Sequence, residues 1–375
     1  MNPFIATGNG IILEGVMRER TFALTIPLIL ILVLSVGFVE ARVSRPEVWI
    51  LGKPDWVPGP TDVPEQIIPW GIERIKAPDA WPTSTGEGIQ IAVLDTGVDK
   101  DHEDLYVNIV WGISVVGDVE STKYKDWRDK NGHGTHVIGT IAAMNNDVGV
   151  VGVGYNIQIY AIKVLSDSGF GTWEDLAEGI WWAIKGPDGI IDGDGDGIVA
   201  GDPDDDAAEV ISMSLGGWSK DKAVEEAVKA AYQYGIVLVA AAGNEGDDGV
   251  LYPAKYPEVI AVAAIDEDDK VPDWSSKGPE VELAAPGVRV LSTVPHDKYE
   301  KYSGTSMACP HVSGTVGLMI SKILAEGDTY TVSDIRDILH TTAENIPIAG
   351  EDTETGWDEA SGYGVVRADK AVASA

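Results

Sequence analysis

The chain has 375 residues, 44% of them hydrophobic, which is enough for one large core or two domains. Its 60 acidic and 27 basic residues leave a net charge of −33. That excess excludes nucleic acid as a partner, because a phosphate backbone would be repelled. The single cysteine, Cys309, excludes an intrachain disulfide but not export.

In chain order, the first signal is Arg18 and Arg20 ahead of the apolar run Phe22–Val39, which closes on small residues up to Ala41. This is the pattern of a secretory signal peptide over residues 17–41; the length of the run keeps an uncleaved membrane anchor as its rival. Met17 puts the basic region at the terminus, so residues 1–16 read as a candidate untranslated leader. Residues 42–65 are rich in proline and read as a linker or short pro-segment. The globular domain is expected over 66–375, and the sequence has no internal repeat.

The runs Ile89–Leu94, Ile157–Leu165, Glu209–Leu215, Ile236–Ala242 and Val259–Ile265 read as buried parallel strands. Helical patterns lie between several of them. Asp175–Gly186 is one. Lys222–Gly235 is another, with Val224, Ala227, Val228 and Ala231 on one face and Gly235 as terminator. Alternating strands and helices predict an α/β fold with a mainly parallel sheet. Ligands of such sheets bind beyond the carboxyl ends of the strands. Asp95, Ser214–Gly216, Gly243 and Asn244 stand at those ends.

A serine hydroxyl becomes a useful nucleophile when a histidine takes its proton, a buried carboxylate orients that histidine, and donors await the oxyanion. The chain supplies each part: Asp95 in "VLDTGVD", His133 in "NGHGTHVIGTIAA", Asn244 in "AAAGNEG" and Ser306 in "GTSMA". With "ISMSLGG" and "GTSMACPHVSG", these motifs resemble the subtilisin family of serine proteases, in the Asp, His, Ser order of that family. The acidic insert below makes the likeness nearest to subtilisins of hyperthermophilic archaea. The resemblance implies a subtilisin-like three-layer sandwich, a central sheet flanked by helices, and a monomeric, thermostable endopeptidase acting on proteins and peptides. Asp95 would orient the imidazole, His133 would act as general base and then acid, and Ser306 would be the nucleophile. Asn244 Nδ2 and the Ser306 N–H would form the oxyanion hole.

By the same resemblance, Gly169, Phe170 and Gly171 on one side and Ser214, Leu215 and Gly216 on the other would pair with a substrate strand. Ala241, Ala242 and Gly243 would line the pocket for the residue before the scissile bond. Leu251 would make it shallower than in relatives with a small residue there, and Glu245 would stand at its rim. Broad sequence tolerance follows from main-chain pairing. His136 and His311 read as core residues, His102 as near-surface, Cys309 as a buried small residue, and Met307 as the neighbour of the nucleophile.

"DGDGDGIVAGDPDDD" (192–206) opens like an EF-hand loop, with Asp192, Asp194, Asp196 and then Gly197. The closing glutamate is absent. Asp202, Asp205 and Asp206 are substitutes, and Ile198 offers a carbonyl. This marks residues 188–206 as a Ca2+-binding insert. A second Ca2+ site, implied by resemblance, would use Gln66, Asp104 and Asn146 with the carbonyls of Met144, Val148 and Val150. The expected enzyme is thus a secreted, calcium-stabilised endopeptidase. Its rivals are a membrane-anchored processing protease and a non-catalytic calcium- or peptide-binding protein on the same scaffold. Relatives carry a folded prodomain, for which the stretch between Ala41 and Gln66 is too short; self-processing near Gln66 is the expectation.

Overall fold

The computed structural model describes residues 47–54, 65–117, 119–202, 204–346 and 356–375. The predicted leader and the signal or anchor segment lie outside these residues, as does much of 42–65. No helix among the described residues is long and apolar enough to cross a membrane.

Two short strands come first, β1 (Val48–Ile50) and β2 (Lys53–Pro54). Then follow β3 (Gln90–Asp95), β4 (Ile109–Ser114), β5 (Gln158–Lys163), β6 (Phe170–Gly171), β7 (Val210–Met213), β8 (Leu215–Gly216) and β9 (Val237–Ala241). The last four are β10 (Val259–Ile265), β11 (Val281–Pro286), β12 (Val290–Val294) and β13 (Lys298–Ser303). Seven of them form one parallel sheet in the order β11-β10-β9-β7-β3-β5-β4. All five predicted strands lie in this sheet. The sequence reading missed β4 and β11, its two edges. The first half of β4 is partly exposed and Gly112 interrupts its apolar run, whereas β11 is buried throughout but carries Glu282 and Pro286, which break its apolar signature.

The sheet has a core on each face, which makes the three layers. Along β3, Ile91 and Val93 join the core that holds Val137, Ile141, Val312 and Val316. Ala92 and Leu94 point the other way, into the core with Leu176, Ile180, Val224 and Val228. Period-two alternation thus serves two apolar layers at once. Each fully buried Leu, Ile or Val contributes roughly 1.5–3 kcal/mol relative to exposure.

Helices His133–Ala142 and Thr305–Ala325 cover one face; Trp173–Lys185 and Lys222–Gln233 cover the other. The last of these buries Val224, Ala227, Val228 and Ala231, the predicted face. Its start is fixed by Asp221, whose carboxylate accepts from the N–H groups of Ala223 (2.8 Å) and Val224 (3.0 Å). Thr172 and Asp175 make a reciprocal capping box at the start of Trp173–Lys185. Every residue of the helix Thr305–Ala325 from Thr305 to Ser321 is buried, as is every residue of His133–Ala142, so Ser306 and His133 are both carried by enclosed helices.

Candidate active site

β3 lies where the strand order reverses, with β5 on one side and β7 on the other. Its last residue, Asp95, therefore opens onto the crevice such sheets use for ligands. His133 is the first residue of its helix, and its Nδ1 lies 2.8 and 2.9 Å from the two Asp95 carboxylate oxygens. Because the carboxylate can only accept, Nδ1 carries the hydrogen and Nε2 keeps its lone pair. That Nε2 is buried and has no hydrogen-bond partner among the described residues.

Ser306 sits in the first turn of its helix, and its Oγ donates to the Ser214 carbonyl at 2.9 Å. The Ser214 hydroxyl returns a bond of 2.9 Å to the Ser306 carbonyl. That carbonyl is free of its helical partner because Pro310, four residues on, has no N–H. The hydroxyl is thus turned onto the edge segment rather than onto the imidazole.

Asn244 follows β9 and is half-buried. Its Oδ1 accepts from the Thr305 N–H (2.9 Å) and the Thr305 hydroxyl (3.0 Å), which leaves Nδ2 facing the groove. There Nδ2 donates to the Leu51 carbonyl at 2.5 Å, and the Ser306 N–H donates to the same oxygen at 3.3 Å. Gly304 is required by this approach, since a Cβ there would overlap the Leu51 carbonyl oxygen.

Leu51 directly follows β1, so the groove is entered by a strand of the same chain. β1 lies antiparallel between β6 and β8, with Val48 opposite Gly171, Trp49 opposite Phe170 and Gly216, and Ile50 opposite Leu215. The Ile50 N–H donates to Gly169 (3.2 Å) and the Leu51 N–H to Ser214 (3.4 Å). Past Gly52, β2 pairs antiparallel with β13, Lys53 opposite Ser303 and Pro54 opposite Tyr302. A Cβ on Gly52 would lie 3.2 Å from His133 Nε2 and 2.8 Å from Met307 Sδ. The predicted edge segments are therefore a groove, and it holds residues 47–54. The sequence reading placed these residues in a linker; the signal it passed over is the strand-like run "VWIL" directly before a glycine.

The Leu51 side chain is 2% exposed. A Cβ added to Gly216 would lie 3.1 Å from both Leu51 Cδ1 and Leu251 Cβ, and one added to Gly243 would lie 3.0 Å from Leu251 Cγ. Leu251 thus narrows the space around the Leu51 side chain. Ala241 and Ala242 are fully buried beneath it, and Leu251 N–H donates to the Ala242 carbonyl at 2.9 Å. Glu245 is half-buried beside Asn244 and forms no ion pair among the described residues.

The other histidines divide. His136 donates from Nε2 to the Val290 (3.0 Å) and Glu300 (3.1 Å) carbonyls and stacks on Tyr302; burial pushes it down to about 3. His311 donates from Nδ1 to the Met307 carbonyl at 2.8 Å, and burial holds it at about 4. Both are core residues, as expected. His102 is not near the surface: it is fully buried, with Nδ1 accepting from the Asp104 N–H (3.1 Å) and Nε2 bonded to the Lys298 carbonyl (3.2 Å). Cys309 is buried, and burial raises its thiol pKa, which keeps it inert. Met307 is buried against Gly52.

Six of the proposed calcium ligands meet at one place. The Gln66 amide is ringed by the carbonyls of Met144 (2.6 Å), Val150 (3.2 Å) and Val148 (3.3 Å). Asp104 accepts from the Val150 N–H at 2.9 Å through Oδ2, while its buried Oδ1 has no partner among the described residues. Burial raises the Asp104 carboxyl to about 7, against the hydrogen bonds from Val150 and Asn146. Asn146 Oδ1 accepts from the Val148 N–H at 3.0 Å. In the insert, carboxylate oxygens of Asp192, Asp194 and Asp196 lie within 4.8 Å of one another. Asp196 also accepts from the Ile198 N–H at 2.7 Å, and Asp202 from the Asp204 N–H at 2.8 Å. Asp205 accepts from the Gly193 N–H (2.7 Å), which lowers its pKa, but burial and the charges of Asp192, Asp202 and Asp194 leave it raised. Asp206 lines a cavity with Asp202, Asp205 and Glu209, and the buried Oδ2 of Asp205 has no partner among the described residues.

Comparison with known proteins bears on this geometry. Residues 86–364 match the model of the subtilase family. Subtilisin DY of Bacillus licheniformis is 42% identical over 287 residues, covering 75% of this chain and 93% of its own. Subtilisin E of Bacillus subtilis is 41% identical, over 74% of this chain and 66% of its own. A thermostable alkaline protease of Halalkalibacterium halodurans is 40% identical, over 82% and 74%. These relatives are bacterial and lend no support to the expected nearness to archaeal subtilisins. The parallel sheet, the crevice at its carboxyl edge and the family match over most of the domain agree, and the chain belongs to the subtilase family as a serine endopeptidase.

Proposed function

We propose that this endopeptidase works through Asp95, His133 and Ser306, tolerates many sequences, is exported and is stabilised by calcium, and that its first substrate is its own chain between Leu51 and Gly52. The observation that carries this is the Leu51 carbonyl oxygen held by Asn244 Nδ2 and the Ser306 N–H. Two donors on one peptide oxygen are what a developing oxyanion needs. In the reaction, Ser306 Oγ leaves the Ser214 carbonyl by rotation about χ1 and attacks the carbonyl carbon. His133 Nε2 takes its proton, and Asp95 holds the imidazole and the charge it gains. The C–N bond breaks as His133 returns that proton to the Gly52 amine. Water, deprotonated by His133, then releases the Leu51 acyl group from Ser306.

Main-chain pairing on both sides of β1 supports broad tolerance, because it reads no side chain. The pocket around Leu51 supports a preference for medium apolar residues before the scissile bond. Leu251→Ala is expected to raise kcat/KM for phenylalanine over leucine at that position about tenfold, as a few methylenes of pocket volume decide. A panel of peptides varied only there checks this; an unchanged ratio removes Leu251 from the pocket.

The donor set around Gln66 and Asp104 suits calcium: carbonyl, amide and carboxylate oxygens are its ligands. With the Gln66 amide turned, Oε1 would join the three carbonyls, Asn146 and the orphaned Asp104 Oδ1. The insert would hold further ions through Asp192, Asp194, Asp196, Asp202, Asp205, Asp206 and the Ile198 carbonyl. Bound calcium supplies charge compensation that orders these loops and takes no part in the reaction. Chelation is expected to lower the melting temperature, by the equivalent of about 2.7 kcal/mol for a site held at 100 times its Kd. Asp104→Asn is expected to remove part of that calcium response in a calorimetric titration, and an unaltered response would remove this site.

The function itself is tested by casein hydrolysis with and without a serine-directed phosphonate. Hydrolysis abolished by the phosphonate is the expected result. Hydrolysis that survives stoichiometric phosphonate would contradict the proposal.

A further inference from the structure

One buried carboxylate outside the groove has a place in the reaction that the catalytic residues alone do not explain. Asp129 is 1% exposed, and five donors converge on it. Oδ1 accepts from the Thr96 hydroxyl (3.0 Å) and the N–H groups of Asn131 and Gly132 (2.9 Å each). Oδ2 accepts from the Thr135 N–H (2.9 Å) and hydroxyl (2.7 Å). Only a carboxylate offers acceptors on both sides; an amide would turn an NH2 group onto one set of donors. Asp129 also sits at the N-terminus of the helix that begins with His133, where negative charge is favoured.

Followed onward, these bonds close a ring. The Thr96 N–H donates to Asp95 Oδ1 (2.6 Å), and the Thr96 hydroxyl accepts from the Gly134 N–H (2.9 Å). The Thr96 carbonyl is held in turn by the Lys163 ammonium (2.6 Å) from β5. His133 is thereby gripped at residues 132, 134 and 135, on either side of itself, by groups tied to the strand end that carries Asp95. We propose that Asp129 is a positioning residue: with Thr96 as its bridge, it sets the His133 backbone against Asp95 so that Nδ1 meets the carboxylate and Nε2 faces the hydroxyl. This rests on the reading of His133 and Ser306 given above.

The test is Asp129→Asn in the full chain, assayed on a short peptide anilide, with active sites counted by an irreversible peptidyl phosphonate. The expected result is kcat per active site about 10²-fold lower with KM within about twofold, the scale of a small misplacement of a reacting group. The low-field proton resonance of the His133–Asp95 hydrogen bond is expected to move, which a merely structural loss would not cause. Thr96→Val cuts the same ring without touching the charge and is expected to lower kcat about tenfold, as for one buried hydrogen bond; Thr96→Ser is expected to restore it. Should Asp129→Asn fail to fold, the Thr96 pair decides. Wild-type kcat per active site and an unmoved resonance in folded variants would overturn the inference. Ser306→Ala separates the two ideas: activity surviving there sinks the site itself, whereas its loss with intact Asp129 and Thr96 variants sinks only the positioning role.

Discussion

Asn244→Ala is expected to cut kcat by about 10²–10³ while leaving KM nearly unchanged. That range is the one attached to an oxyanion amide in a subtilisin, a relative of this chain. The structural reason is local. Asn244 is held by Thr305 through two bonds to Oδ1, so its Nδ2 is aimed before any substrate arrives. A donor placed in advance costs no reorganisation as charge moves onto the oxygen, and its bond strengthens with that charge. The remaining donor, the Ser306 N–H, stands farther from the Leu51 oxygen, 3.3 against 2.5 Å. Removing Asn244 therefore removes the better-placed half of the proposed oxyanion hole. Steady-state kinetics on a peptide anilide checks it; a large rise in KM with kcat intact would assign Asn244 to substrate binding instead.

The second large effect concerns the chain itself. Wild-type protein is expected to become a species beginning at Gly52, and Ser306→Ala to keep the Leu51–Gly52 bond intact. β1 is paired on both edges and β2 on β13, so the bond between them is presented from both sides. Cleavage within one molecule follows first-order kinetics, independent of protein concentration, and pays no association cost. Leu51→Asp is expected to slow this step by about 10²-fold, because a carboxylate would have to enter a buried apolar pocket without a partner. Intact-mass spectrometry with N-terminal sequencing reads all three proteins. A cut at Gln66, or a rate that scales with concentration, would contradict the intramolecular step.

The parts that the sequence made legible are the local ones. Each predicted strand is a short run buried along nearly its whole length, and burial on both faces leaves a near-continuous apolar signature. Asp95 and Asn244 stand directly beyond such runs, so the parallel sheet itself gathers them, whereas Ser306 is carried by the apolar helix that follows β13 of the smaller β12-β13-β2 sheet. His133 and its glycines mark a helix start in the same way. What was not legible depends on pairing across the chain. β1 has three residues and partners more than a hundred positions away, and prolines after it favour a linker reading. His102 looks like a polar residue in an acidic stretch, yet β13 covers it through the Lys298 carbonyl. The turn of the Ser306 hydroxyl onto Ser214 depends on carbonyl contacts between distant segments, which the motif, although it contains Pro310, does not show. Asp129 was passed over because its role lies in the N–H groups it collects.

The most direct measurement is peptide mapping after treatment with a peptidyl phosphonate. A single adduct on the Ser306 oxygen, lost when His133 is replaced by alanine although the protein stays folded, is the predicted result. An adduct on another residue, or one that forms equally well without the imidazole, would contradict it.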